Sequence, residues 1–268
     1  MKKRLVTITV IFAVVIFSAK AWLSSIYVVP ILMYHSINPV SNEEYKALIV
    51  APENFKRQME FLSRNRYNVI SLDELAGILN SKKRIPGKTV CITFDDGYAD
   101  NYEYAYPVLK KLNIPAEIFV MTDSIDKKDY LTTGQIQEMV KNGIDIGSHT
   151  KTHFRLDGRD MDRAREEIFG SKKALEGITA GKADFFCYPG GWFTKDVRQL
   201  VIDAGYKGAV ATNPGRKYPK DDVYAMKRIR IAKPANNLFV FWFETSGYYT
   251  WIKEHRARHY RDKPWKEY

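Results

Sequence analysis

Two carboxylates side by side are the first feature of this 268-residue chain that calls for chemistry. Asp95 and Asp96 follow the run Val90-Cys91-Ile92-Thr93-Phe94 and precede Gly97 and Tyr98. The run is β-branched or apolar throughout, which predicts a strand buried in a sheet. The pair then sits where that strand opens into a loop, and Gly97 lets the chain turn sharply. Adjacent carboxylates in a partly buried site repel, so one needs a cation or a raised pKa. A metal ion resolves the conflict if one Asp ligates it and the other stays free as a base. Ligands of the right type lie downstream in Ser148-His149-Thr150-Lys151-Thr152-His153. Two His four residues apart lie on one face of a helical turn and can share one ion. Asp96, His149 and His153 make a carboxylate-plus-two-His set with positions open for water and substrate.

These residues need a scaffold, and the surrounding pattern supplies one. Strand signals at 28–34, 67–71, 90–94, 116–121, 144–147, 185–187, 208–212 and 224–231 alternate with helix signals. The helices are expected from Pro52 and from Ser71, and over 102–112, 132–142, 160–177, 195–204 and 236–251. Such alternation argues for a parallel α/β architecture, and periodicity alone does not separate a barrel from a doubly wound sheet. His35 closes the strand Leu32-Met33-Tyr34 and is a site candidate by position. Residues 38–51 read as a polar surface loop.

The N-terminus reads as a targeting segment. Met1-Lys2-Lys3-Arg4 is followed by an apolar run from Leu5 to Ala19, with a small-x-small site at Ala19-Lys20-Ala21. Apolar character continues past it, so residues 1–29 read as a signal peptide or an N-terminal membrane anchor. Residues 30–268 then lie outside the cytoplasm, secreted or held at the cell surface.

Lys and Arg number 42 against 31 Asp and Glu, a net charge of +11. That favours anionic surroundings such as a cell envelope, although a solvated basic surface explains it equally. No nucleic-acid motif or basic repeat accompanies the charge, so no nucleic-acid partner is expected, and the chain reads as a monomer. Cys91 and Cys187 fall in strand interiors, where a bridge needs special geometry, so both read as free thiols. His255 and His259 repeat the four-residue spacing but lie in an Arg-rich tail, where neighbouring cations disfavour a metal. Asp100, Asp123, Asp145 and Asp184 read as caps, turns or surface groups.

Thr93-Phe94-Asp95-Asp96-Gly97 followed by Ser148-His149-Thr150-Lys151-Thr152-His153 resembles the first two motifs of the polysaccharide deacetylases. This is carbohydrate esterase family 4, or the NodB-homology domain. The resemblance implies an α/β fold, a distorted, incomplete (β/α) barrel of the NodB-homology type, as a catalytic domain over residues 30–268. It implies hydrolysis of N-acetyl groups on an N-acetylglucosamine-containing polysaccharide, of the poly-N-acetylglucosamine or peptidoglycan type. Asp96, His149 and His153 would hold a divalent metal, Zn2+ with Co2+ or Ni2+ as alternatives, and Asp95 would be the base.

The chain departs from the family pattern twice. Cys187-Tyr188-Pro189-Gly190-Gly191 occupies the place of Arg-x-Pro-x-Gly; Pro189 and Gly191 match and the Arg does not. By the resemblance this loop walls the groove, and the Gly190 N–H helps hold the oxyanion. Tyr188, Pro189 and Tyr34 are the candidates for touching sugar, with core packing as the other reading of both tyrosines. The family Arg orients the base, and Arg228 or Arg230 is the available replacement. The family also carries an acid His on a late strand, yet no His occurs between His153 and His255. His35 takes that role by resemblance to the branch acting on poly-N-acetylglucosamine, where the motifs are circularly rearranged and the acid His comes early. A silent carbohydrate-binding module on the same fold is the reading of another class, opposed by the intact Asp95, Asp96, His149 and His153 set. Deacetylation of another acylated glycan is a third reading.

Overall fold

The computed structural model describes residues 2–39, 48–212 and 219–256. Helix α1 (Lys2–Ile26) comes first and leads through four residues into strand β1 (Ile31–Tyr34). A short parallel pair follows, β2 (Ser36–Ile37) with β3 (Ile49–Val50). Residues 40–47, most of the expected 38–51 loop, lie outside the described residues. Then come α2 (Pro52–Arg64), β4 (Asn68–Val69), α3 (Leu72–Asn80), β5 (Thr89–Phe94), α4 (Tyr106–Leu112), β6 (Glu117–Val120), α5 (Thr133–Lys141) and β7 (Asp145–Ser148). The chain ends through α6 (Met161–Thr179), β8 (Phe185–Cys187), α7 (Lys195–Asp203), β9 (Gly208–Ala211), β10 (Met226–Arg230), α8 (Leu238–Glu244) and α9 (Tyr249–Arg256).

The main sheet has eight strands in the order β1-β10-β9-β8-β7-β6-β5-β4, paired in parallel, and β1 also pairs with β5. With β4 set aside as an appendage of β5, seven of the eight close into a ring. That is one strand short of a full (β/α)8 barrel, and the β1–β5 pairing excludes an open doubly wound sheet. The fold is the distorted, incomplete barrel that the motifs imply.

Side-chain alternation on β5 aims the chemistry. Val90, Ile92 and Phe94 pack with Phe55, Met59 and Leu62 of α2. Cys91 joins Ile31, Phe119, Cys187, Val210 and Met226 from the other strands, within the ring. A period of two therefore puts Asp95 on the inner face, above Cys91 and Thr93. Register brings its neighbour alongside: Tyr34 pairs with Phe94, so His35 and Asp95 leave adjacent strands at the same height.

Two expected helices differ. The 102–112 helix opens with a wide π-type turn at Asn101–Ala105 before α4. Such turns often serve function, and here Asn101 Nδ2 donates to the His35 carbonyl at 2.8 Å. The helix expected over 236–251 is two, α8 and α9, broken at Gly247 with φ 82°. Its carbonyl accepts from Val28 N at 2.9 Å, and a Cβ there would clash with the Tyr27 ring. The break is a tertiary requirement, set by the segment leaving α1, and no local pattern announces it.

Glu244, the last residue of α8, is buried with Oε2 unpartnered. Burial raises its pKa from 4.5 to about 7. The folded state thus binds more protons than the unfolded chain between these values, and stability falls as pH rises through that window. Glu244→Gln should therefore stabilise the fold by about 1–3 kcal/mol at pH 8 and by little at pH 4, read from urea midpoints.

Candidate active site

The upper rim of the barrel, at the C-terminal ends of its strands, collects the chemistry. β1 delivers His35, β5 delivers Asp95 and Asp96, β7 delivers His149, and β8 leads into the turn carrying Gly190. Asp96 adopts φ 71°, a left-handed conformation that Asp tolerates better than most residues. The kink separates the two carboxylates. Asp95 continues the inward face of the strand, while Asp96 turns toward the histidines.

Asp96 Oδ1 lies 3.5 Å from His149 Nε2 and 3.8 Å from His153 Nε2. His149 Nδ1 lies 2.9 Å from the Cys187 carbonyl, which only accepts, so Nδ1 carries the proton and Nε2 a lone pair. Burial lowers the pKa of both His149 and His153, which keeps the rings neutral. Two neutral imidazoles thus converge on a carboxylate oxygen, an arrangement that repels unless a cation lies between. The three donors fall within 4.8 Å of one another. Two imidazoles and one carboxylate suit a divalent transition ion, and the carbonyl behind His149 fixes its tautomer for ligation.

Asp95, His149 and Cys187 form a second cluster of the same size. It is the weaker metal site. Burial pushes the Cys187 thiol well up, and the Arg228 guanidinium already fills the space, with NH2 at 3.0 Å from Sγ.

Arg228, one of the two candidate arginines, is the centre of the site. Its guanidinium forks onto Asp95, NH1 to Oδ1 at 2.5 Å and NH2 to Oδ2 at 2.7 Å, and also reaches Thr93 Oγ1 at 3.2 Å. Arg228 and Cys91 both pair with Ile31, four residues of register below Asp95, so a long side chain is needed to reach up. Burial raises the pKa of Asp95, but the Arg228 guanidinium outweighs it and holds the carboxyl well below the usual range. Arg230 ends the strand exposed and makes no such contact among the described residues.

His35 lies beside this pair, Nε2 at 4.0 Å from Asp95 Oδ2. Its Nδ1 is buried without a hydrogen-bond partner, and burial lowers its pKa. Gly190 is exposed at the rim with φ 62°, and a Cβ there would meet Trp192 at 2.9 Å. The position tolerates glycine best.

Three expected contacts are corrected. Tyr34 and Tyr188 are fully buried, with hydroxyls donating to Gln58 Oε1 and to the Tyr224 carbonyl. Pro189 is buried as well. None of the three offers surface to a sugar; the core reading of the tyrosines holds. The His pair is also not on a helical turn. Residues 149–153 form an irregular turn in which Thr150 and His153 have φ of 65° and 62°. Both cysteines are free and buried, as expected. His255 stacks on Trp251 in α9, and His259 lies outside the described residues.

Sequence reading missed what holds that turn. Glu167 of α6 accepts from Lys151 N at 2.8 Å, Thr152 N at 2.9 Å and Thr152 Oγ1 at 2.6 Å. The signal was available: Glu167 falls in the stripe Ala164, Ile168, Ser171 and Leu175 that α6 buries. Asp100, expected as a cap, turn or surface group, accepts from Ser36, Ile37 N and Asn101 and so fixes the segment after His35. Glu167→Ala should weaken metal retention about 10–100-fold with the ligands untouched, measured by chelator competition. Unchanged retention would mean that the turn holds itself.

Comparison with known proteins agrees with this geometry. Residues 82–209 match the polysaccharide deacetylase family profile, a span that contains Asp95, Asp96, His149 and His153 but neither His35 nor Arg228. The Bacillus subtilis protein YxkH is 36% identical over 203 residues, covering 76% of this chain and 71% of its own. The Staphylococcus aureus poly-β-1,6-N-acetyl-D-glucosamine N-deacetylase is 25% identical over 209 residues, covering 73% of this chain and 72% of its own. The structure of the Streptococcus pyogenes deacetylase PplD in complex with acetate superposes with a TM-score of 0.72 at 32% identity, over 79% of this chain and 97% of that one. With the barrel, the motif residues at its rim and relatives matched along most of their length, the chain belongs to the polysaccharide deacetylase family, the hydrolases of carbohydrate esterase family 4.

Proposed function

We propose that this protein is a metal-dependent N-deacetylase of an N-acetylglucosamine-containing polysaccharide, of the poly-N-acetylglucosamine or peptidoglycan type, releasing acetate. The observation that carries the reading is the meeting of a forked, ionised Asp95 with the three converging donors of Asp96, His149 and His153. A relative that acts on poly-β-1,6-N-acetylglucosamine and another that binds acetate support the substrate and the product.

Asp96, His149 and His153 would hold a divalent ion, zinc by the donor set, which would supply Lewis acidity at the acetyl carbonyl. The chain's own groups do the rest. Asp95 stays ionised because Arg228 grips both oxygens, and it accepts the proton of the attacking water. The Gly190 N–H donates to the oxygen that gains charge. His35 hands a proton to the leaving amine, so that the products are acetate and a free glucosamine.

Residues 1–29 act as a signal peptide or membrane anchor, and residues 30–268 as the catalytic domain outside the cytoplasm. α1 supports this, since Thr7–Ile26 is apolar, unburied and long enough to cross a bilayer. The test is acetate release by the zinc- or cobalt-loaded protein from poly-N-acetylglucosamine oligomers, chito-oligomers and peptidoglycan, with Asp95→Asn as blank. Release from one polymer that vanishes in the blank supports the reading; metal bound with no release from any overturns it.

A further inference from the structure

The end of the barrel opposite the active site carries a cavity of about 260 Å3. Its lining begins with the residues that directly follow α1, Tyr27, Val28 and Val29, and continues through Leu75 and Leu79 of α3. Its rim carries Lys82, Lys83, Lys220 and Lys227 against a single Asp221. Lys227 is committed to Glu254 at 2.8 Å, while Lys82 and Lys83 are exposed. The cavity is thus apolar within and basic at the mouth.

Its position relative to α1 is fixed, not tethered. Lys220 Nζ donates to the carbonyls of Ser24, Ser25 and Tyr27 at 3.3, 2.7 and 3.2 Å, closing the C-terminal end of the helix onto the domain. Trp22 packs edge-on against Trp251 of α9, with ring centroids 5.7 Å apart. The apolar window Thr7–Ile26 has 20 residues, about 30 Å of helix, which matches the hydrocarbon thickness of a bilayer. With that window in the membrane, Trp22 sits near the interface, where Trp is favoured, and the cavity opens at headgroup level.

We propose that this cavity binds one anionic phospholipid from the leaflet where α1 emerges. Part of an acyl chain enters between Val29, Leu75 and Leu79, and the phosphate meets Lys82 and Lys83. The lipid seats the base of the barrel on the membrane, and the catalytic rim, at the other end of the strands, faces away toward the polymer. The proposal rests on the reading of residues 1–29 as a retained anchor and does not depend on the acetyl chemistry.

The test is native mass spectrometry of the full chain released from non-ionic detergent, offered equal dioleoyl phosphatidylglycerol and dioleoyl phosphatidylcholine. The expected result is a single phosphatidylglycerol adduct, favoured about thirtyfold, the combined weight of two lysines on an anionic headgroup. The Lys82→Glu/Lys83→Glu variant should lose the preference, and Leu79→Trp, which fills the cavity, should lose both adducts. Acetate release from soluble oligomers should persist in both variants, which shows that they fold. Equal adducts, a preference that survives the charge reversal, displacement by free glycerol phosphate, or a chain mass lacking α1 would each overturn the proposal. A lipid adduct on a native protein that releases no acetate counts against the deacetylase reading alone.

Discussion

An Asp95→Asn enzyme should keep its divalent ion and lose about two to four decades of acetate release, the usual weight of a general base. The reason lies in the division of labour at the rim. Asp96 faces His149 and His153, whereas Asp95 faces Arg228 and lies 4.0 Å from His35. An amide at position 95 keeps the shape and some of the hydrogen bonds but has no charge with which to accept a proton. Metal content by elemental analysis and initial rates on soluble oligomers separate the two roles. Loss of metal would make Asp95 a ligand; retention of both metal and rate would remove it from the reaction.

Much of this division could be read from the chain. Asp95 and Asp96 at the end of an apolar run, with His149 and His153 after another, define strand ends that point one way in a parallel sheet. The alternation of strands and helices gave the class of fold, and the motifs gave the barrel. What escaped reading depends on contacts between distant segments. Arg228 was one of two candidates, and only the ring closure through β1 brings it beneath Asp95 while leaving Arg230 at an exposed end. Tyr34 and Tyr188 looked like sugar-facing residues because they neighbour site residues in sequence. Strand alternation instead sends them outward, under the helices. Cys187 stands where the resembled motif has Arg, and the guanidinium that contacts Asp95 and the Cys187 thiol comes from β10. The irregular turn before His153 could not be told from a helical one by spacing, because both place the two rings on one side.

The Arg228–Asp95 fork sets the last expected result. Arg228→Met should cost the fold about 3–5 kcal/mol, since it leaves the Asp95 carboxylate buried with no partner charge. The cost should depend on pH in a known direction. In the native protein the depressed pKa of Asp95 contributes stability above the ordinary carboxylate range, lost as pH falls through the folded value. Without Arg228, burial governs and the carboxyl rises above its ordinary value, so its contribution is greatest in acid and fades as pH increases. The gap in melting temperature between native and variant should therefore be wide at pH 8 and narrow toward pH 4. Turnover at neutral pH should fall with it, because the base loses the partner that keeps it ionised. Coupling gives the sharper test. Asp95→Asn leaves a buried guanidinium unpaired and Arg228→Met a buried carboxylate, whereas the double variant leaves neither charge. It should be more stable than either single variant, although as inactive as both. Simple addition of the two losses would mean that the fork contributes nothing to the fold, and that each residue is held by its other neighbours, Thr93 and Cys187 for the guanidinium and His35 for the carboxylate.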